Sequence, residues 1–271
     1  MDRQGLISAL RRLREGVGRL REGVAELRAR PTSERASHAI ARQLDYQRRK
    51  AAAIARDHAR IERIMSARTN ALVATLAPHV AITSGTRVLE VGSGAHGHVF
   101  FLGVPDAIGV DPLADEYRAL FPWQPRARTI AAYGEHLPFD DARFDLVVSD
   151  NVIDHAERPA AIVDELVRVL APGGVLYFTV HVHHPIYDAL SRAYGLLTLL
   201  GLPRDLGGPF ADHTVHLTAR DATRLVERDE LEILHRALLP ERTPKRRRRV
   251  DHLKRVLAKN TTFEVIARRR A

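Results

Sequence analysis

From Arg87 onward, short apolar runs of four to seven residues alternate with longer mixed segments. The runs are Val88–Val91, Ala107–Val110, Thr129–Ala132, Phe144–Ser149, Gly174–Val180, Leu231–Ala237 and Thr262–Ala267. Runs of this length without polar alternation suit strands buried on both faces, and helical segments between the first several imply βαβ units. The pattern predicts an α/β fold, a doubly wound, mostly parallel seven-stranded sheet over residues 80–271. An Arg-rich helical extension over residues 1–79 precedes it. In such sheets ligands gather beyond the carboxyl ends of the strands, near the point where the strand order reverses. The residues just after each run are therefore the ones to read for function.

The first such end reads Gly92-Ser93-Gly94-Ala95-His96-Gly97. A glycine turn directly after a strand lets backbone approach a ligand with no side chain in between. Nineteen residues after Gly92, Asp111 closes the run Ile108-Gly109-Val110. A carboxylate there can accept hydrogen bonds from both hydroxyls of a ribose. Gly92, Gly94 and Gly97 also satisfy G-x-G-x-x-G, so the motif by itself indicates a nucleoside cofactor and leaves a nicotinamide or flavin enzyme open.

The segments downstream carry a resemblance. Leu89–Gly94 (LEVGSG), Gly109–Leu113 (GVDPL), Gly134–Phe139 (GEHLPF), Phe144–Val148 (FDLVV) and Arg168–Gly174 (RVLAPGG) occur in order. Together they resemble the motifs of class I S-adenosylmethionine-dependent methyltransferases, in particular the type 11 group, over about residues 86–180. The resemblance implies a Rossmann-like fold, S-adenosylmethionine as cofactor, and these roles. Gly92, Ser93 and Gly94 pass beside the methionine part, and Glu90 helps hold its amino group. Asp111 binds the ribose, Pro112 and Leu113 flank the adenine, and Gly134 and Glu135 sit near the ring. Ser149 to Asn151 lie beside the methionine moiety and the transferable methyl. The chain departs from the family pattern at His96, where a third glycine is common, and at Tyr133, where an acid is frequent.

Methyl transfer is an in-line displacement in which the protein mainly supplies position and electrostatics, helped by a base where the acceptor carries a proton. Candidate groups follow the fourth run (Asp150, Asn151, Asp154, His155), the fifth (His181, His183, His184) and the apolar insertion (His213, His216). We take Asp150, His155 and His181 as the catalytic candidates. His181 and His183 share a face if the strand continues, yet no third ligand accompanies them, so no metal site is expected. The insertion Pro185–Phe210 is placed to roof a substrate site or to pack as a core helix.

Composition narrows the class. With no cysteine, disulfides, thiolate metal sites and cysteine nucleophiles are excluded. The longest apolar stretch, Tyr194–Leu202, falls far short of the roughly 20 residues of a spanning helix, and a cytoplasmic location is expected. Residues 1–70 carry 17 basic against 8 acidic side chains and residues 236–271 carry 13 against 3, flanking an acidic middle. Basic ends admit a nucleic acid as partner, through Lys245–Arg249 above all, although such runs also occur as solvated faces. Leu6, Leu10, Leu13, Val17, Leu20, Val24 and Leu27 repeat at heptad spacing, which suits a short coiled coil and a homodimer, or a helix docked on its own domain. The reading is a methyltransferase acting on a small or medium-sized acceptor. A nicotinamide-dependent oxidoreductase and a non-catalytic nucleic-acid-binding protein on the same fold are the alternatives.

Overall fold

The computed structural model describes residues 33–54, 57–124, 128–156, 158–183, 217–240 and 261–271. Two helices, α1 (Ser33–Ile54) and α2 (His58–Leu76), precede the sheet. Strands β1 (Val88–Val91), β2 (Ile108–Val110), β3 (Arg128–Ile130) and β4 (Phe144–Asp150) follow, with α3 (Ala114–Leu120) between β2 and β3. Then come α4 (Pro159–Val169), β5 (Leu170–Val182), α5 (Ala219–Val226), β6 (Leu231–Pro240) and β7 (Thr261–Arg269). Each expected apolar run overlaps a strand, with Ala107 outside β2 and Ala131 and Ala132 outside β3. The main differences are at the ends, with β6 running on to Pro240 and β5 starting at Leu170.

The seven strands form one sheet in the order β3-β2-β1-β4-β5-β7-β6. Pairing is parallel from β3 through β5, and β7 runs antiparallel to both β5 and β6. The order reverses between β1 and β4, so a crevice opens beyond their carboxyl ends.

Both faces of the sheet are covered because side chains alternate along each strand. Leu89 and Val91 of β1 join Val147, Phe178 and Val180 in a cluster that includes Ile162 and Leu166 of α4 and Ala222 and Val226 of α5. Val88 points the other way, to Leu146, Val148, Val175 and Ile266, where Leu72 and Leu76 of α2 cover the sheet. The extension thus has a packing face at Leu72 and Leu76, whereas Ile64 on the same helix is 52% exposed. Among the described residues no helix is long and apolar enough to cross a membrane.

Candidate functional site

Backbone conformation at the end of β1 depends on glycine. Gly92 has φ +75° and Gly94 φ +56°, both in the left-handed region that L side chains avoid. A Cβ on Gly92 would lie 2.3 Å from Val152 Cγ2, whereas one on Gly94 would meet nothing within 4 Å. Gly92 is therefore required by packing, and Gly94 leaves an open cradle on the ligand side.

Asp111 joins this turn to the end of β2. Its Oδ2 accepts from the Gly94 N–H at 2.9 Å and its Oδ1 from the Leu113 N–H at 2.9 Å. Burial pushes the carboxyl up, and those two amides pull it back. Each carboxylate oxygen can accept more than one hydrogen bond, so capacity remains for two vicinal hydroxyls.

These groups border a cavity of about 1050 Å³. Gly92, Gly94 and Asp111 line it together with Pro112 and Leu113. Gly134 and Glu135 close the β3 side, and Asn151 lies at the end of β4. Eight of the ten residues expected around the cofactor thus share one cavity. Asn151 is held in the left-handed region at φ +60°, with its N–H donating to Thr179 O at 3.1 Å and its Oδ1 accepting from His181 N at 3.0 Å. Val91, Val152, Ala156 and Ile162 supply the apolar part of the wall. The open cradle, the doubly supported carboxylate and the size of the space fit a nucleoside cofactor; the roughly 300–1,000 Å³ usual for ligand pockets is filled or exceeded.

Four expected residues stand elsewhere. Glu90 is 3% exposed and does not line the cavity; its carboxylate accepts from the amides of His98 and Val99 at 3.1 and 2.8 Å. Burial pushes its carboxyl up, against the pull of His98 and of the two amides. Its position three residues into β1 directs it to the α2 face of the sheet, so it fastens the following turn rather than reaching a ligand. Ser93 is also buried, and its Oγ lies 2.8 Å from the site of a Cβ on Gly109, which shows how closely the two loops pack.

Asp150 is committed within the protein rather than to the cavity. Its Oδ2 receives the Arg68 guanidinium and His98 Nε2 (3.1 Å), and its Oδ1 the Thr179 hydroxyl (2.6 Å). Burial opposes its ionisation, but His98, Arg68 and Thr179 outweigh burial and hold it well below the usual carboxylate range. His181 turns its ring toward Thr262 on β7, Nδ1 to Oγ1 3.4 Å, and does not line the cavity. The backbone of His155 closes a short 3₁₀ turn, Ile153–His155, and its side chain lies outside the described residues. So do His184, His213, His216, the insertion 185–210, the basic run 245–249 and the heptad stripe 6–27.

Sequence reading missed His98. It is 3% exposed, with Nδ1 2.9 Å from Thr69 Oγ1 and Nε2 on Asp150. An ionised Asp150 only accepts, so His98 Nε2 donates to it, and Nδ1 shares a hydrogen bond with the Thr69 hydroxyl. Nothing in the local pattern marks this histidine; its partners are 29 and 52 positions away. The helical character of α1 was expected, but sequence reading missed that its Arg42, Tyr46 and Arg49 line the cavity. Among the described residues no group of three or more metal-ligating side chains is placed to hold a metal ion.

Comparisons with known proteins match this domain and this fold. Residues 89–178 match the methyltransferase domain family. An uncharacterized methyltransferase of Mycobacterium tuberculosis is 38% identical over 136 residues, 46% of this chain and 52% of the relative. One from Mycobacterium leprae is 34% identical over 183 residues, 63% of this chain and 59% of the relative. The chain thus spans a little over half the length of these relatives. The fold is also that of the YcgJ protein of Bacillus subtilis (TM-score 0.53, 17% identity, 75% of this chain and 98% of that one). It is likewise that of a geranyl diphosphate C-methyltransferase from Streptomyces coelicolor, solved with Mg2+, geranyl diphosphate and S-adenosyl-L-homocysteine (TM-score 0.54, 13% identity, 74% and 77%). Neither the oxidoreductase nor the nucleic-acid alternative finds support among them.

Proposed function

We propose that this chain, whose residues 89–178 carry a methyltransferase domain of the class I S-adenosylmethionine-dependent family, binds S-adenosylmethionine in the cavity and methylates a small or medium-sized acceptor there. The observation that carries the reading is Asp111. Its carboxylate faces the cavity and is oriented by the amides of Gly94 and Leu113, the arrangement a ribose diol requires.

When bound, S-adenosylmethionine supplies an electrophilic methyl carbon on a sulfonium. The protein's contribution is position. Asp111 would hold the ribose, Pro112 and Leu113 the adenine, and the open backbone at Gly94 would let the amino-acid end lie against the turn. Asn151, fixed by Thr179 and His181, sets the wall nearest the reacting centre. Val91, Val152, Ala156 and Ile162 would keep water from the displacement. Orientation of two reactants in one cavity can supply several powers of ten in rate without a base. Asp150 supports this wall from behind and takes no part as a proton acceptor.

Calorimetric titration with S-adenosylhomocysteine, S-adenosylmethionine and NAD, beside an Asp111→Ala variant, tests the reading. Binding of the first two, weakened in the variant, with no NAD binding, is the expected result. NAD binding alone, or no binding of any of the three, overturns it.

A further inference from the structure

We propose that α1, which lies outside the segment matched to the methyltransferase family, forms the outer wall of the cofactor cavity and contacts the bound cofactor through Tyr46 and Arg49. This rests on the reading of the cavity as the S-adenosylmethionine site.

The helix is fastened beside the cavity. Leu44 and Ala51 pack against a cluster of Ala95, Leu113, Tyr117 and Phe121, and the Gln43 side chain hydrogen-bonds the buried Tyr117 hydroxyl. Leu113 and Tyr117 themselves line the cavity, so this packing is continuous with the cofactor wall. Trp123 packs on the same cluster and stacks on His96 (5.7 Å) and on His58 at the start of α2 (5.2 Å).

With that packing face occupied, Arg42, Tyr46 and Arg49 fall at i, i+4 and i+7 and form a separate stripe on the cavity. Tyr46 is 54% exposed and Tyr133, which also lines the cavity next to Gly134, is 55% exposed. Two open aromatic rings on one concave surface suit a ligand with a planar base that covers them.

Charge gives the orientation. The inner wall carries the Asp111 and Glu135 carboxylates, which repel a ligand's own carboxylate, and one arginine, Arg158, set beside Glu135, to whose Oε1 its backbone N–H donates at 3.3 Å. The outer wall carries Arg42 and Arg49; its one acid, Asp45, faces Arg48 at 3.6 Å. A guanidinium matches a carboxylate with paired N–H groups. The cofactor's single carboxylate is therefore directed to α1, at Arg49, with the nucleoside covering Tyr46.

The test uses the full chain and two ligands, S-adenosylhomocysteine and 5′-methylthioadenosine, which has the same nucleoside thioether without the amino-acid end. Tyr46→Ala is expected to weaken both about ten-fold, and Tyr46→Phe to restore affinity. Arg49→Ala is expected to weaken S-adenosylhomocysteine about ten-fold, more at low salt, and to leave methylthioadenosine within about two-fold. Both positions are exposed, and thermal unfolding verifies that the variants fold. Unchanged affinities in both variants, with the wild type binding and Asp111→Ala weakened, overturn the role of α1. Equal loss of both ligands in Arg49→Ala overturns the carboxylate assignment. A wild type that binds neither ligand removes the cofactor reading, and this inference with it.

Discussion

His98 and Asp150 meet through Nε2 and Oδ2 at 3.1 Å, joining the loop after β1 to the last residue of β4 where the strand order reverses. Arg68 and Thr69, neighbours on α2, hold the two ends of this pair, Arg68 on Asp150 and Thr69 on His98. The residue after Asp150 is Asn151, whose left-handed backbone forms part of the cavity wall. The helical extension is thus coupled through buried polar groups to the edge of the site.

Thr69→Val keeps the side chain's shape and removes the hydroxyl that hydrogen-bonds His98 Nδ1. A buried polar atom left without its partner costs about 1–3 kcal/mol. We expect a urea midpoint lowered by that amount with an unchanged slope, and an unchanged midpoint would show that the Thr69–His98 bond contributes nothing.

Asp150 gives a pH signature. Its folded-state carboxyl is held below the usual range while the unfolded chain titrates near about 3.9, so the unfolded state binds the proton more readily. Its stabilisation is fully present above that value and is lost as pH falls toward the lower folded value. The stability difference between wild type and Asp150→Asn should therefore shrink steadily from pH 5 to pH 2. A constant difference across this range would remove the ionised carboxylate as its source.

His96 produces a second window, of opposite chemistry. Burial, and then the charge of Lys50, lowers its pKa from 6.5 to about 4. Between those values the unfolded chain takes up a proton that the folded chain refuses, so stability declines as pH falls from about 6.5 to about 4. The full loss is on the order of 3 kcal/mol. His96→Gln should flatten this part of the curve, read as urea midpoints at pH 7 and pH 4.5; an identical slope in the variant argues against it.

Two glycines should differ. Alanine at Gly92 meets Val152 Cγ2 at 2.3 Å in addition to its unfavourable φ, whereas alanine at Gly94 has only the φ penalty of about 1–2 kcal/mol. Gly92→Ala should therefore lower the thermal midpoint more than Gly94→Ala, and equal losses would mean that Val152 moves aside freely.

Much of the architecture was legible from local pattern. Four- to seven-residue apolar runs in an α/β alternation leave little choice but a doubly wound sheet, since both faces of each strand must be buried. Gly92, Gly94 and Asp111 were legible because backbone at a strand end needs glycine conformations and a carboxylate at a fixed distance along the chain. Those requirements are local. Tertiary structure decided what a side chain is used for once strands from distant segments are side by side. Glu90 and Asp150 sit where a ligand role was expected, yet one is used by the amides of His98 and Val99 and the other by Arg68, His98 and Thr179. Tyr46 and Arg49 had no signal at all, because which stripe of an Arg-rich helix meets a cavity depends on how Leu44 and Ala51 seat it against Tyr117 and Phe121. A motif encodes the conformation of its own backbone; the partner of a buried charge is set by segments dozens of residues away, and only packing brings them within reach.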